Sequence, residues 1–409
     1  MINDILSWFL ANFKWGILFM GFYTLLTEAG NLLPRIRVAM QPPRTRFGVL
    51  IPAHNEELVV GDLIANLRTL DYPQELVEIF VICDHCTDQT ARIVAEAGAV
   101  ALVSEGAGAR GKGVALDWGL NQVFALRGRE HFDAFCVFDA DNRVATNFLQ
   151  VMNNHLLAGH FALQAYLDNK NPNTNWVTRV LRVEQRATNF LWHGGKVRWG
   201  LGNYMIGTGM CIKASLMAEA GWKVRSLTED LEMTIKLALR GVRIWWVEET
   251  RVFDESPSNL KVIWYQRQRW AIGGWRCFGY YFLPCLWGGI RRMNIRLLDI
   301  AIYLITPLWA VFTLLYAILN LLNGFLHFYS GPADPFLFWF GIAFGILYTP
   351  MGVLFSGLPL FANIPYIVIY YAVMPLLASA EQVTSLFRLN RRFWFHTPHK
   401  DKLDAEIKL

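Results

Sequence analysis

The sequence has little of what marks several common protein classes. Its net charge is only +5, and its basic residues lie beside apolar segments, so anionic lipid headgroups are a better match than nucleic acid. The six cysteines are scattered, mostly in apolar runs, which is typical of reduced, buried thiols in a cytoplasmic domain. The C-x-x-C formed by Cys83 and Cys86 lacks the second ligand pair of a zinc site. The sequence also has no internal repeat, no low-complexity tract and no Walker A spacing.

Apolar residues, by contrast, are abundant, and their excess lies at the two ends of the chain. They make up 54% of the 409 residues, and the mean hydropathy of +0.27 is high for a soluble enzyme. Residues 5–29 are long enough to cross a bilayer and lack a basic leader and a cleavage site, so we expect a retained span. The arginines that follow place the next segment in the cytoplasm by the positive-inside rule. They are Arg35, Arg37, Arg44 and Arg46.

Apolar character returns after residue 276. Residues 278–288 are too short to span and are flanked by arginines, which predicts a helix in the membrane interface. Residues 297–322, 335–358 and 362–386 have span length. Three spans would put the basic tail outside, against the positive-inside rule, so either one of the last two segments is re-entrant or the tail breaks the rule. We favour a cytoplasmic tail.

These segments predict five regions in an integral protein of the plasma (inner) membrane. They are an N-terminal transmembrane helix (1–33), a cytoplasmic catalytic domain (34–276), an interfacial helix (277–296), a C-terminal transmembrane region (297–386) and a basic tail (387–409). Within the catalytic domain, residues 47–165 alternate apolar strands with helices, which predicts an α/β fold around a parallel sheet. Ligands bind at the carboxyl ends of such strands, where Glu56, Asp84 and Asp139 are expected.

Three short motifs carry the chemistry. Asp139 and Asp141 follow an apolar strand, and such a pair can hold Mg²⁺ or Mn²⁺ together with phosphate oxygens, although a D-x-D is also common in solvated loops. Asp230 in Thr228-Glu229-Asp230 is a candidate general base, with helix capping as the alternative. Gln266, Arg269 and Trp270 share one side of a helix and offer a cation for diphosphate and a stacking surface, or else a membrane anchor. Lys112, after a Gly-rich stretch, is expected near the phosphates.

In this order, the D-x-D, T-E-D and Q-x-x-R-W motifs resemble those of the membrane-bound family 2 inverting glycosyltransferases, which include cellulose, chitin and hyaluronan synthases and ceramide glucosyltransferase. The resemblance covers about residues 47–276 and implies a GT-A fold. It implies that Asp84 contacts the uridine, that Asp139 and Asp141 hold nucleotide and metal, and that Asp230 is the base. The strand end around Glu56 is similar to the family's nucleotide-binding segment. Gly207 and Thr208 resemble the segment lining the acceptor site, and Glu229 belongs to the T-E-D motif.

The resemblance implies transfer of a sugar from a UDP-sugar, and we expect a processive polysaccharide synthase coupled to export. Trp309, Tyr316, Phe336 and Trp339 are the aromatic residues expected along the exit path. A transferase that adds a single sugar to a lipid is the alternative enzyme, and a sugar-binding membrane receptor without turnover is a third possibility, which the intact acids oppose. The sequence does not specify the sugar, the linkage or the oligomeric state.

Overall fold

The computed structural model describes residues 2–105, 111–327 and 350–389. Its centre is a mixed sheet of eight strands in the order β3-β2-β1-β4-β7-β6-β8-β5. The strands are β1 (Phe47–Ala53), β2 (Val77–Asp84), β3 (Val100–Ser104), β4 (Ala134–Val137), β5 (Arg143–Val144), β6 (Ala162–Asn169), β7 (Met210–Lys213) and β8 (Ile244–Asp254).

The first half of the sheet is parallel, as the near-continuous apolar strands predict. Strands β3, β2, β1 and β4 run the same way, and β7 pairs antiparallel with both β4 and β6. Strand β8 is parallel to β6, so β4, β6 and β8 all end at the same edge of the sheet. Helices cover both faces and bury a separate apolar core on each. The expected GT-A-like α/β fold is confirmed.

Helices α2, α3 and α5 pack on one face of the sheet, and α4, α8 and α9 pack on the other. The domain helices are α2 (Val60–Arg68), α3 (Thr90–Glu96), α4 (Lys112–Arg127), α5 (Phe148–Leu157), α6 (Trp176–Thr188), α7 (Gly195–Arg198), α8 (Ala214–Ala220) and α9 (Glu229–Leu239). A π-helical turn, Asn189–Gly194, joins α6 to α7.

The remaining helices are α1 (Ile2–Ala29), α10 (Leu260–Arg291), α11 (Ile295–Leu304), α12 (Thr306–Leu326) and α13 (Leu360–Leu386). Within the described ranges, three helical segments are long and apolar enough to cross a membrane: Asp4–Leu32, Thr306–Leu326 and Leu360–Leu386. Most of the predicted span 335–358 and nearly all of the tail 387–409 lie outside the described residues.

Two predicted boundaries differ from the structure. Helix α10 runs through residue 276 without a break, so the predicted interfacial helix continues the helix that carries Gln266, Arg269 and Trp270. The predicted span 297–322 is divided at Ile305 into α11 and α12, with a proline in the first turn of α12, where a missing N–H is tolerated. Sequence hydropathy alone does not show such breaks, because both helices are apolar.

A buried ion pair fastens α1 and α11 to the catalytic domain. Lys196 of α7 has no exposed side-chain surface and lies 2.9 Å from the Asp299 carboxylate of α11. Tyr23 of α1 donates a hydrogen bond to Asp299, and the Lys196 ammonium donates one to the hydroxyl of Tyr204 at 2.8 Å. The ring of Trp192 lies 4.3 Å from the same ammonium. These contacts join the first helix to the domain over a long sequence separation.

Candidate active site

The carboxyl ends of the parallel strands open into one cleft of about 790 Å³. Acidic residues collect there because strands of the same direction present their last residues at the same edge. Every residue that the sequence predicts for the site lines this cleft. They are Glu56, Asp84, Lys112, Asp139, Asp141, Gly207, Thr208, Glu229, Asp230, Gln266, Arg269 and Trp270.

The turn that carries Asp139 and Asp141 is held from beneath by two buried polar side chains. The backbone N–H of Asp139 donates to the Oδ1 of Asn142 at 3.1 Å and to the Oγ1 of Thr208 at 3.2 Å. The Thr208 hydroxyl also bonds Asn142 Oδ1, and Asn142 Nδ2 donates to the Asp254 carboxylate at 2.8 Å. Thr208 therefore supports the carboxylate pair, which its resemblance to an acceptor-lining segment does not indicate.

Asp254, the last residue of β8, is a site residue that the sequence analysis missed. It is partly buried, and this burial together with the charges of Asp141 and Asp139 raises the pKa of its carboxyl well above the usual value. The signal that could have revealed it is the rule that found Asp139, an acid at the end of an apolar strand.

The same carboxylates allow a test of whether the site fits a divalent metal ion. Asp139, Asp141 and Asp254 lie together, with Lys112 at the Asp139 carboxylate and Lys170 at the Asp141 carbonyl, and a hard cation would offset the excess negative charge. Among the described residues, no three His, Cys, Asp or Glu side chains form a metal-binding group. A pair of carboxylates completed by diphosphate oxygens meets the needs of Mg²⁺ or Mn²⁺, so Asp139 and Asp141 fit such an ion.

Lys112, the first residue of α4, joins the D-x-D turn to the T-E-D helix. Its ammonium lies 2.5 Å from Asp139 Oδ1 and 3.8 Å from Glu229 Oε1, and it donates to the Gly207 carbonyl at 2.8 Å. Burial opposes its charge, but the carboxylates of Asp139 and Glu229 outweigh burial and raise its pKa. The close packing of Gly113 against Glu229 brings the two helices together. Residues 106–110 of the preceding Gly-rich stretch lie outside the described chain.

Asp230 lies in the first turn of α9, with an environment suited to a general base. Burial and the charge of Glu229 raise its pKa to about 7, while the cations Lys112 and Arg269 act in the opposite direction. Gly207 has a φ of +85°, and a Cβ there would lie 3.4 Å from Asp230 Oδ2. A glycine is required by this backbone conformation, and it leaves the carboxylate accessible. The Oδ1 of Asp230 also accepts from the Leu231 N–H, one of the first-turn N–H groups that have no partner within the helix, so this carboxylate stabilises the start of α9 as well.

Thr228 occupies the N-cap position of α9, but its side chain makes no capping hydrogen bond. Instead, its hydroxyl lies 3.0 Å from Ser226 Oγ, and its side chain packs closely on Gly273 of α10. The N–H groups of Arg225 and Ser226 are bound by Glu232 at 2.6 Å each. Thr228 thus has the N-cap position predicted by the alternative interpretation, but its side chain does not act as a cap.

Helix α10 presents the third motif to the cleft. Gln266, Arg269 and Trp270 line it, as their helical spacing predicts, and Trp270 keeps 48% of its surface exposed. The Nε of Arg269 is buried and has no hydrogen-bond partner among the described residues. An exposed indole beside an unpaired guanidinium nitrogen offers stacking and anion binding in one place.

At the carboxyl ends of β1 and β2, polar contacts hold the loops in place. Asp84 Oδ1 lies 2.7 Å from the ring of His85, which has a φ of +53°. The His54 ring contacts the Asp84 carbonyl at 2.6 Å, and the Glu56 N–H donates to Thr90. These contacts leave Glu56 and Asp84 at the rim of the cleft.

Helices α6, α10 and α13 form the wall of the cleft opposite Asp230. The sequence does not predict that these helices meet at the cleft. Helix α13 packs on both α6 and α10. Besides Gln266 and Arg269, the polar residues of these helices on the cleft are Glu184, Gln185, Thr188, Arg267, Glu381 and Gln382. No local pattern predicts them, because they meet only through packing between helices far apart in the chain.

Comparison with known proteins agrees with this geometry. A family model described as "Glycosyltransferase like family 2" matches residues 42–273, more than half of the chain. The probable glycosyltransferase YdaM of Bacillus subtilis is 30% identical over 66% of this chain and 65% of its own length. A beta-monoglucosyldiacylglycerol synthase of Synechocystis sp. is 29% identical over 59% of this chain and 50% of its own length. The chain thus spans about half to two thirds of these relatives.

One solved structure is similar over almost the whole chain. The mannosyltransferase PcManGT from Pyrobaculum calidifontis, in complex with GDP-Man and Mn²⁺, covers 95% of this chain and 98% of its own, with a TM-score of 0.60. Its sequence identity is 17%, so the likeness concerns the fold.

Proposed function

The chain belongs to the glycosyltransferases of family 2, and from this premise we propose that it transfers a single sugar from a UDP-sugar to a lipid at the cytoplasmic face of the plasma membrane. Transfer occurs with inversion, by direct attack of the acceptor hydroxyl on the anomeric carbon. Polymer synthesis, expected from the sequence, is the less favoured alternative.

One observation carries the choice of a lipid acceptor. The cleft that holds Asp230 is also lined by residues of α13 and of the first turn of α12, both of which have span length and composition. An acceptor anchored in the bilayer can therefore present a hydroxyl to Asp230 without leaving the membrane. The name of the Synechocystis relative, a beta-monoglucosyldiacylglycerol synthase, agrees with such an acceptor.

Two of the aromatic residues expected along a polymer exit are instead occupied in helix packing. The ring of Trp309 lies 4.8 Å from that of Phe13 in α1, and the ring of Tyr316 lies 5.7 Å from it. Gly16 of α1 faces the Trp309 ring closely. Phe336 and Trp339 lie outside the described residues. These contacts support the lipid acceptor over an exported polymer.

In the proposed mechanism, Asp230 accepts the proton of the acceptor hydroxyl as that oxygen attacks. Asp139 and Asp141 would hold Mg²⁺ or Mn²⁺, which would neutralise charge on the diphosphate. Arg269 and Gln266 bind the departing diphosphate. Lys112 contacts both Asp139 and Glu229 and so fixes the D-x-D turn relative to the T-E-D helix. Trp270 stacks on a sugar ring, and Glu56 and Asp84 bind the nucleoside. Gly207 leaves room beside the base, and Thr208 supports the carboxylate pair.

The proposal is tested with the purified full chain in phospholipid vesicles that contain dioleoylglycerol. Radiolabelled UDP-glucose, UDP-N-acetylglucosamine, UDP-galactose, UDP-glucuronate and GDP-mannose are supplied one at a time with Mn²⁺. We expect one of the UDP-sugars to give a label that extracts into organic solvent and carries one sugar per lipid. A water-soluble product of many sugars, or transfer from GDP-mannose alone, would overturn the proposal.

A further inference from the structure

The proposed function leaves open how the enzyme recognises its acceptor, and the wall opposite Asp230 offers a means. This acceptor wall consists of Glu184 and Gln185 of α6, Arg267 of α10, and Glu381 and Gln382 of α13. Helix α10 fixes the position of α13 at this point. Gln268 and Trp275 donate hydrogen bonds to the backbone carbonyls of Glu381 and Gln382, at 3.3 Å and 3.2 Å.

The acceptor wall has no spare positive charge. Arg267 lies 2.6 Å from the Glu184 carboxylate, and the charges of Glu184 and Glu381 outweigh burial in raising the pKa of the guanidinium. The other Lys and Arg side chains that line the described part of the cleft are Lys112, held by Asp139, and Arg269, placed on the donor diphosphate. A phosphate on the acceptor would therefore meet no free cation among these residues.

The wall does have unused hydrogen-bond acceptors. Glu381 is only 3% exposed, and its Oε1 has no hydrogen-bond partner within the described parts of the chain. The same holds for the buried Oε1 of Gln382. A buried oxygen without a donor is unfavourable, and a hydroxyl of a bound acceptor would supply that donor. A fully ionised phosphate has no proton to donate.

We propose that the acceptor wall selects an uncharged, hydroxyl-bearing lipid headgroup and rejects a lipid phosphate. Hydroxyls of the headgroup donate to Glu381 and Gln382, while a lipid phosphate finds no free cation on the wall. This inference rests on the proposed transfer to a lipid, and it specifies the acceptor's chemical class. Glu381 and Gln382 contact the acceptor away from the reacting atoms and act as specificity residues.

The first test compares matched lipids in the wild-type full chain. Vesicles contain dioleoylglycerol, dioleoyl phosphatidic acid, a polyprenol or its polyprenyl phosphate, each at the same mole fraction, with the donor that gives the highest turnover. We expect kcat/KM for each hydroxyl lipid to exceed that for its phosphate partner by at least about tenfold, the effect of leaving one buried acceptor without its donor. Equal or reversed preference would overturn the inference.

The second test uses variants of the wall. Glu381→Leu and Gln382→Leu remove one acceptor oxygen each and should raise the KM for dioleoylglycerol about tenfold. Glu381→Gln keeps an oxygen at this position, so it should bind the hydroxyl lipid nearly as well as the wild type. Glu96→Gln, on the exposed face of α3, is the matched control and should behave as wild type.

A second readout separates recognition from folding. The KM for the donor, and the slow hydrolysis of the donor without any lipid, should stay unchanged in all these variants. Unchanged acceptor KM in both Leu variants would refute the role of the wall. If the wild type transfers sugar to a phosphate lipid more efficiently, only the choice of headgroup fails. If no lipid is modified and a polymer forms, the proposed function itself fails.

Discussion

At the scale of single residues, the pKa of Asp230 connects the structure to the rate. A carboxyl with an ordinary pKa of 3.8 would be ionised throughout the neutral range, but burial and Glu229 raise the pKa of Asp230 to about 7. A base must be ionised to accept a proton, so activity should rise as pH increases through 7 and fall about tenfold per unit below it. The groups that face Asp230 in this balance are Glu229, Lys112 and Arg269.

The first prediction concerns this acidic limb. Glu229→Gln removes a neighbouring negative charge, so the limb in kcat/KM should move to lower pH. Asp230→Asn should lower turnover by about two to four orders of magnitude, the usual effect of losing a general base. Both are measured by sugar transfer between pH 5 and 9, with donor binding as the control. A wild-type limb near pH 4, or less than about a tenfold loss in Asp230→Asn, would contradict the role of Asp230.

The second prediction concerns the metal ion at Asp139 and Asp141. Chelation with EDTA should abolish sugar transfer, and Mn²⁺ or Mg²⁺ should restore it, because the acids need a cation to receive the diphosphate. Asp141→Asn should weaken Mn²⁺ binding, measured directly by paramagnetic resonance. Full activity in excess EDTA would refute the assignment.

The sequence predicts these residues well because strand ends and short motifs are local signals. Asp139, Asp141, Asp230 and Arg269 all reach one cleft, although their roles remain to be tested. Asp254 was missed although it also ends an apolar strand, while Glu381 gave no signal, since it meets the site only through packing of α13 on α6 and α10.

At the scale of secondary-structure elements, the contact between α10 and the T-E-D segment sets the distance between Arg269 and Asp230. An added Cβ at Gly273 would lie 2.4 Å from Thr228 Oγ1 and 2.9 Å from Thr228 Cβ, too close for either atom. Helix α10 can approach Thr228 this closely only because residue 273 has no side chain.

The third prediction follows from this contact. Gly273→Ala should push α10 away from Thr228 and lower kcat about tenfold to a hundredfold, as small misplacements in active sites do. Gly279→Ala, six residues further along the same helix, meets nothing within 4 Å and serves as the control. That control should keep its activity and gain slightly in stability from helix propensity. Equal activity of the two variants would show that the close contact has no effect on catalysis.

The sequence predicts some helices and strands but not the boundaries of α10, α11 and α12. Hydropathy identifies α1 and α13, and alternating apolar runs identify β1, β2 and β4. The continuity of α10 and the division between α11 and α12 were not predicted, because interfacial and membrane helices share the same apolar composition.

At the scale of the whole molecule, the Lys196–Asp299 pair joins the catalytic domain to helices α1 and α11. Both side chains are almost fully buried, and the pair links α7 and α11, with Tyr23 of α1 bonded to the same carboxylate. Removing one partner leaves an uncompensated buried charge, which costs much more than the intact pair contributes.

The fourth prediction is therefore that Lys196→Met lowers the free energy of unfolding by about 3–5 kcal/mol. Lys196→Met combined with Asp299→Asn should recover part of that loss, because no charge then stays buried alone. Arg92→Met, in an exposed pair with Glu96, is the control and should change stability little. Thermal unfolding in detergent measures all three. A loss in Lys196→Met no larger than in Arg92→Met would contradict the structural role of the pair.

We propose that one sugar passes with inversion from a nucleotide to a membrane lipid, with Asp230 as the base. The most direct measurement of this transfer is the mass and the anomeric configuration, by NMR, of the product made from an α-linked UDP-sugar in dioleoylglycerol vesicles. We expect a lipid that carries one β-linked sugar, made at least about a hundredfold more slowly by Asp230→Asn. An α-linked sugar, a chain of many sugars, or product formation by Asp230→Asn at the wild-type rate would refute this proposal.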